Sequence, residues 1–218
     1  MVHTLTQENP STVFATRDRI IEAAIRRFGH FGFDKTTMAE IAVDASISKQ
    51  ALWNYFSDKR LLITAVIEKV IGEYIATVEK EFAGSNNVPE ALEKLLTARK
   101  QLHEKYSMLV AQLIDPQTLV WNKSLIEAKV NMKEKEVKLL RNLFMQGITS
   151  GELKPMDAEK AAILILDVFT TMFIHAVDWN SIPDPNACED LYQKQNDLMT
   201  LLFTGMKACP HDKTNYQG

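Results

Sequence analysis

Residues 19–66, RIIEAAIRRFGHFGFDKTTMAEIAVDASISKQALWNYFSDKRLLITAV, decide the fold of the N-terminal part of this 218-residue chain. Their first part has the spacing of a helix that buries one face, because its apolar residues recur every three or four positions. These residues are Ile20, Ile21, Ala24, Ile25, Phe28 and Phe31. Gly32 lacks a Cβ, and we therefore expect the first helix to stop there in a left-handed conformation.

Two short helices are predicted directly after this stop. Thr37 and Glu40 have the spacing of a capping box, in which the hydroxyl and the carboxylate each accept from one exposed backbone N–H. The second helix, which they begin, would bury Met38, Ile41 and Ala42. Ser48 is a favourable N-cap for a third helix over about 49–55, which leaves only residues 45–47 for the turn.

The shortness of these two helices indicates a DNA-reading unit. Isolated helices below about 12 residues are marginal in water, so a bundle that only had to be stable would favour longer ones. A short helix after a tight turn is the layout of a helix-turn-helix, whose second helix fits a major groove about 12 Å wide. The alternative is a three-helix bundle with a polar surface and no role in DNA binding.

The same residues resemble the TetR family of bacterial transcriptional regulators over about a quarter of the chain. The family pattern is an Ile-x-x-Ala-Ala helix ending in Phe and Gly-Phe, then Thr-Thr-x-x-x-Ile-Ala, a short turn with Ser, and Leu-Tyr-x-x-Phe-x-x-Lys-x-x-Leu. This chain matches it at Ile20, Ile21, Ala23, Ala24, Phe28, Gly32, Phe33, Thr36, Thr37, Ile41, Ala42, Ser48, Leu52, Phe56, Lys59 and Leu62. It departs from the pattern at Ser46, where the family commonly has Gly, and at Trp53, where the family has Tyr.

The resemblance implies an all-α fold and a set of DNA contacts. A three-helix DNA-binding domain would precede a helical ligand-binding and dimerisation domain, with about nine helices in total. The DNA-binding surface would consist of Thr36, Thr37, Ser48, Lys49, Gln50, Ala51, Trp53, Asn54, Tyr55 and Lys59. Within it, Thr36, Thr37, Trp53, Tyr55 and Lys59 would hold backbone phosphates, and Lys49, Gln50 and Asn54 would face base edges.

The chemistry of these side chains fits the implied roles. Phosphate contacts position a protein on DNA, whereas contacts to base edges specify the sequence. Glutamine and asparagine can bond adenine bidentately, and lysine favours guanine, so Gln50 and Asn54 are the candidates for specificity. Trp53 has only the indole N–H donor in place of a phenol, which is sufficient for a phosphate.

Charge is compatible with this interpretation but does not carry it. The formal net charge is −3, with 8 basic and 7 acidic residues in positions 1–60. No Lys or Arg precedes Arg17, so a long basic arm is not expected, and binding should depend on dimer geometry and a defined operator.

Three features of the sequence bear on the compartment. The N-terminal residues do not have the pattern of a signal peptide. The two cysteines predict neither a disulfide scaffold nor a zinc site, and charged residues interrupt the most apolar run, 161–179. We expect a protein of the reduced cytoplasm, associated with the nucleoid and not with a membrane.

The rest of the chain predicts a second helical domain. The expected division is 1–16 flexible N-terminus, 17–60 DNA-binding domain, 61–208 ligand-binding and dimerisation domain, and 209–218 flexible tail. Ser57 is a candidate N-cap for a long helix over about 59–82, with further helices over about 88–105, 107–114, 118 or 122–149, 158–179 and 186–207. The last two helices are apolar on more than one face, which predicts that a second subunit covers them. The interface of this homodimer would contain Leu164, Val168, Met172, Leu191, Leu198, Leu201, Leu202 and Met206. A monomer with a fully internal helix is the alternative.

Dimer symmetry and a ligand pocket complete the expectation. A two-fold axis would place two recognition helices about 34–36 Å apart on double-stranded DNA, which predicts a palindromic operator.

The resemblance also implies a pocket for an apolar or amphipathic effector. It would be lined by Met108, Leu109, Gln112, Leu113, Trp121, Met132, Phe144, Phe169, Phe173 and His175. Each of these could instead belong to the core. No spacing of His, Cys, Asp or Glu predicts a metal site, and no cofactor is expected.

Two other functions stay open. One is a ligand-independent DNA-binding protein that recruits or occludes other machinery. The other is an all-helical enzyme, although no catalytic constellation can be placed in the sequence.

Overall fold

The structure is a computed structural model that describes residues 10–114, 123–176 and 185–208. This part of the chain forms nine α-helices and one isolated bridge between Leu153 and Lys207, which confirms the all-α prediction. The helices are α1 (Pro10–Lys35), α2 (Met38–Asp44), α3 (Lys49–Tyr55), α4 (Lys59–Ala83), α5 (Val88–Lys105), α6 (Ser107–Ile114), α7 (Lys123–Thr149), α8 (Ala158–Ala176) and α9 (Pro185–Met206). Within these ranges no helix is both long and apolar enough to cross a membrane.

Most helix bounds agree with the sequence prediction, and two corrections concern helix starts. α1 begins at Pro10, so the prediction of a flexible N-terminus over 1–16 is wrong for residues 10–16. The N-cap of α4 is Asp58 and not Ser57, because a carboxylate oxygen of Asp58 accepts from the backbone N–H of Arg60. The predicted tail 209–218 and Trp121 lie outside the described residues.

The first helix changes direction at Gly32. Its φ of 81° is positive as expected, but its ψ of 171° is not that of a left-handed helical stop. This combination is open almost only to glycine, because a Cβ would clash with the backbone. Phe31 just before it is 46% exposed and not buried as predicted, and the guanidinium of Arg27 lies 5.4 Å from the centre of its ring.

The chain divides into two compact units. The head unit contains Met1–Val70 and Met108–Leu125, and the body unit contains Ile71–Ser107 and Ile126–Gly218. Three helices, α4, α6 and α7, therefore contribute residues to both units. The predicted DNA-binding domain, 17–60, falls entirely within the head unit.

In the head unit, α2 packs against α1 and α3. The side chains of Ile20, Phe28, Ile41 and Leu52 are fully buried and form its core. Arg27 on α1 bonds to Asp44, the last residue of α2. Its guanidinium donates to both carboxylate oxygens of Asp44, at 2.6 and 3.2 Å. These contacts set the angle at which α2 and α3 leave α1.

In the body unit, α9 packs against α5 and α8. The carboxylate of Glu152, after α7, accepts from the backbone N–H of Val88 at the first turn of α5. The same loop is bonded to the end of α9, because Lys154 N–H donates to the carbonyl of Met206 at 2.9 Å. The loop after α7 therefore joins the ends of three helices.

Candidate DNA-binding surface and effector domain

The third helix presents a polar face that nothing in the described chain covers. Its N-cap Ser48 accepts from Ala51 N–H at 3.0 Å, and Leu52 points into the core with no exposed surface. Lys49, Gln50 and Asn54 are exposed on the other side, where side chains can reach the edges of base pairs. The predicted base-reading residues therefore lie together on one outward face.

The residues predicted to hold phosphates are placed unequally. Trp53 is 38% exposed, while Tyr55 and Lys59 are partly buried, as is Ala51 of the predicted DNA-binding surface. Burial lowers the pKa of the Lys59 ammonium, and the carboxylates of Asp34 and Glu40 act in the opposite direction.

Thr37 forms the capping box that the sequence predicts. Its hydroxyl accepts from Glu40 N–H at 3.3 Å, and a carboxylate oxygen of Glu40 accepts from Thr37 N–H at 2.8 Å. The side chain is nevertheless exposed and remains available at the N-terminus of α2. These bonds, with Thr37 contributing most, lower the pKa of the Glu40 carboxyl.

Thr36 corrects the sequence prediction. Its side chain is 1% exposed, and its hydroxyl donates inward to the carbonyl of Gly32 at 2.9 Å. A hydroxyl in this position cannot reach a phosphate from its side chain. Thr36 instead holds the linker between α1 and α2, a role that depends on the unusual ψ of Gly32.

The kind of domain in the head unit follows from its structure and from comparison with known proteins. Residues 20–66 match the family model described as bacterial regulatory proteins, tetR family. The head unit therefore contains a helix-turn-helix domain of the TetR type. In transcriptional regulators a domain of this kind binds DNA.

Relatives and solved structures of TetR-family regulators extend the likeness beyond the head unit. The uncharacterized HTH-type transcriptional regulator YhgD of Bacillus subtilis is 24% identical over 76% of this chain and 85% of its own length. The HTH-type transcriptional regulator RutR of Escherichia coli K12 is 24% identical over 73% of this chain and 74% of its own. The crystal structure of a transcriptional regulator from Cytophaga hutchinsonii superposes with a TM-score of 0.76, at 25% identity, over 88% of this chain and 98% of that one.

The body unit carries an apolar surface on its last two helices. Leu164 is 55% exposed and Leu201 72% exposed, on α8 and α9 respectively. Of the other predicted interface residues, Val168 and Leu202 are exposed, and Met172, Leu198 and Met206 are partly buried. Leu191 is a correction, because it is buried in the core of its own unit and has no surface to offer a partner.

The predicted ligand residues are divided between the two units. Met108, Leu109, Gln112 and Leu113 belong to the head unit, and Met132, Phe144, Phe169, Phe173 and His175 belong to the body unit. Leu109, Phe144, Phe169 and Phe173 are buried. Met108 and His175 are exposed, and Trp121 lies outside the described residues. Both ends of the Gln112 amide bond to protein groups.

Sequence reasoning missed a set of buried polar side chains in the body unit. Arg99 Nη1 donates to Glu136 Oε1 at 2.8 Å, and the Tyr74 hydroxyl donates to the same oxygen at 2.6 Å. Burial, reinforced by the Glu136 carboxylate, raises the pKa of Tyr74. Arg99 lies four residues after Leu95, a core position of the same helix, so helical periodicity could have indicated its burial.

A second group of side chains in the body unit combines aromatic rings with polar groups. The ring of His103 stacks on Phe173 with centres 3.9 Å apart, and its Nδ1 bonds to the hydroxyl of Tyr192. One turn further along α9, Gln195 donates from Nε2 to the carbonyl of Phe169 at 3.1 Å. The Oε1 of Gln195 accepts no hydrogen bond from the described residues, although Gln195 is only 2% exposed. Aromatic side chains and a small number of polar groups thus lie together in the interior of the body unit.

An open groove of about 470 Å³ lies on the outside of the body unit, between α7 and α8. It is lined by Val130, Lys133, Glu134, Val137, Lys138, Arg141, Glu159 and Ile163. None of these residues belongs to the predicted ligand set. The described residues bring together no group of three or more His, Cys, Asp or Glu side chains that could hold a metal ion.

Proposed function

We propose that this chain is a TetR-family regulator, a homodimeric repressor that binds a palindromic operator and releases it when a small apolar or amphipathic ligand enters the body unit. The observation that carries the DNA-binding part is the exposed polar face of α3, with Lys49, Gln50 and Asn54 side by side. Phosphate contacts from Thr37, Trp53 and Lys59 would position this face in a major groove. Its site of action would be the cytoplasm, on the nucleoid.

A second copy of the chain would cover the apolar surface of α8 and α9. Leu164, Val168, Leu201 and Leu202 expose enough apolar side chain to gain from burial, at roughly 25 cal/mol for each Å² removed from water. Two-fold pairing through this surface would bury four helices together and present two reading helices to successive grooves. A palindromic site with half-sites about one helical turn apart follows from that symmetry.

The effector would lie among the aromatic and polar side chains of the body unit. Phe169, Phe173, His103 and Tyr192 supply the apolar walls, and the free oxygen of Gln195 supplies a polar handle. The ligand would favour a state in which α4 changes its orientation, so that the two reading helices no longer match the operator. A coupling of this kind is typically worth about 1–3 kcal/mol, and only a ligand that prefers one state can produce it.

A ligand-independent regulator is the second candidate. It is favoured by Phe144 and Phe169, which were predicted to line a pocket and are fully buried. A body unit that only packs its own core would recruit or occlude other machinery without responding to a small molecule. The two candidates differ in one measurement, the affinity for the operator with and without a saturating ligand.

The decisive experiment selects bound duplexes from a genomic library at two salt concentrations. We expect a palindromic motif that survives the higher salt, because base contacts and dimer symmetry then add to the phosphate contacts. The Gln50→Ala variant should lose about 1–3 kcal/mol at one base pair of each half-site and accept other bases there. Weak binding that salt abolishes, with no motif, would contradict the proposal. Equal weakening on all sequences by Gln50→Ala would remove Gln50 from base reading.

A further inference from the structure

Residues 32–37, the last residues of α1 together with the connection to α2, are called the linker here, and they contain a backbone donor that the helix does not satisfy. The ψ of a residue sets the orientation of the next peptide group, and the value of 171° at Gly32 turns the N–H of Phe33 out of the helical direction. Phe33 itself is buried, with its ring edge against Phe28. A buried N–H without an acceptor is costly, so this donor needs a partner.

The partner is the side chain of Gln112 on α6, 79 residues further along the chain. Its Oε1 accepts from Phe33 N–H at 2.5 Å, and its Nε2 donates to the carbonyl of Met108, one turn earlier in α6, at 2.9 Å. Because both ends of the amide are bonded, its orientation is set. The amide also packs directly on Gly32, where a Cβ would lie 3.5 Å from Oε1.

The bonded linker leads directly into the DNA-reading helices. The carbonyl of Gly32 accepts from the Thr36 hydroxyl at 2.9 Å, and Thr37 caps α2. Since α2 packs against α3, the conformation of this linker fixes how the reading face is held on α1. All of these residues belong to the head unit.

We propose that Gln112 is a positioning residue for operator binding. It lies more than fifty residues after the predicted DNA-binding domain, and its hydrogen bonds go to Phe33 and Met108, neither of which is predicted to touch DNA. It acts through the Phe33 N–H, by keeping the linker in the conformation that orients α2 and α3. The proposal rests on the DNA-binding role of the chain but not on ligand response or on repression.

Three substitutions of Gln112 test the role in the full-length chain. Gln112→Leu removes the acceptor, Gln112→Asn withdraws it by one methylene while staying polar, and Gln112→Glu keeps an oxygen within reach. Gln101→Leu, at an exposed position of α5, is the matched control. Two quantities are measured for each variant, the Kd for the selected operator duplex and the hydrogen-exchange rate of the Phe33 amide by NMR.

We expect Gln112→Leu and Gln112→Asn to weaken operator binding about tenfold, in line with the loss of an acceptor for a buried N–H. The Phe33 amide should exchange faster in both, while Gln112→Glu and Gln101→Leu keep the slow exchange and most of the affinity. The loss should be equal on all operator variants, unlike that of Gln50→Ala, because Gln112 reads no base. The Asn variant serves the test if the Leu variant does not fold.

Two results would overturn the proposal. One is an unchanged operator Kd although the Phe33 amide has lost its protection, which would make the bond merely structural. The other is a Phe33 amide that stays protected in the Leu and Asn variants, which would mean that another group satisfies it. A wild-type chain that binds no defined operator would instead contradict the proposed function itself.

Discussion

At the scale of single residues, His103 makes the stability of the body unit sensitive to acid. Burial, and then the charge of Arg99, lowers its pKa from 6.5 to about 3. Below pH 6.5 the unfolded chain therefore binds a proton that the folded chain does not, so stability falls as the pH falls towards 3. From this group alone we expect the free energy of unfolding to drop by about 2 kcal/mol between pH 7.5 and 5.

Urea unfolding at pH 7.5, 6.5, 5.75 and 5 measures this dependence. The His103→Phe variant is the control, because it keeps an aromatic ring against Phe173 but cannot bind a proton. Its stability differs from that of the wild type at every pH through the lost bond to Tyr192, so the slopes are compared and not the absolute values. Equal slopes in the two proteins would show that other groups cause the acid sensitivity.

Individual residues also show what local sequence could and could not predict. Thr37 and Ser48 were predicted as caps, because a cap depends on atoms only two or three residues away. Thr36 was predicted on the surface, because its burial depends on the conformation of Gly32 and not on the adjacent sequence pattern. Ser46 has φ 55°, the one positive value at a residue other than glycine among the described residues, at the turn position where the family pattern has Gly.

At the scale of helices, two glycines in helix interiors should respond oppositely to alanine. A Cβ on Gly147 in α7 would lie 2.8 Å from Cγ2 of Val88 and 2.9 Å from Cδ1 of Leu153, both buried side chains. Overpacking of this kind costs about 1–3 kcal/mol and exceeds the gain of up to about 1 kcal/mol from helix propensity. We expect Gly147→Ala to lower the free energy of unfolding by about 1 kcal/mol.

Gly72→Ala in α4 is the matched control. No heavy atom lies within 4 Å of a Cβ built there, and the position is exposed. This variant should be more stable than the wild type, by up to about 1 kcal/mol, since only helix propensity changes. Denaturant unfolding of the two variants in parallel measures both changes in the free energy of unfolding. If both variants were more stable than the wild type, the start of α5 would have moved to make room for the extra methyl group.

Helix positions were largely predictable, whereas contacts between helices were not. The bounds of α3 and α6 follow from caps and apolar spacing, which are local. The Arg99–Glu136 ion pair joins α5 and α7, and no pattern within either helix identifies its partner. The bond from Phe33 to Gln112 was missed for the same reason. The sequence analysis instead assigned Gln112 to a ligand pocket, by analogy with the family.

At the scale of the whole molecule, the exposed apolar surface of α8 and α9 predicts the state of assembly. Leu201→Glu and Leu164→Glu would place a charge where the second copy is proposed to pack, and burying an unpaired charge is strongly unfavourable. Size-exclusion chromatography with light scattering should give twice the chain mass of 24.7 kDa for the wild type and the single mass for the variants. The variants should also lose operator affinity, because one reading helix makes half of the contacts.

Met145→Glu controls for the added charge alone. Met145 is exposed on α7 and does not belong to the predicted interface. This variant should keep the double mass and the operator affinity of the wild type. A wild-type chain that runs as a stable monomer would contradict the dimer directly, and a dimer that survives both leucine substitutions would place the interface elsewhere.

The head unit is compact in space but discontinuous along the chain, since Met1–Val70 is completed by Met108–Leu125. An engineer who moves the DNA-binding helices of this chain onto another regulator by a single crossover after α4 would set a foreign α6 beside Gly32 and Phe33. The transplanted reading helix would then depend on whatever side chain the recipient has at position 112. A faithful exchange of operator preference needs two crossovers, so that α6 travels with the helices it supports.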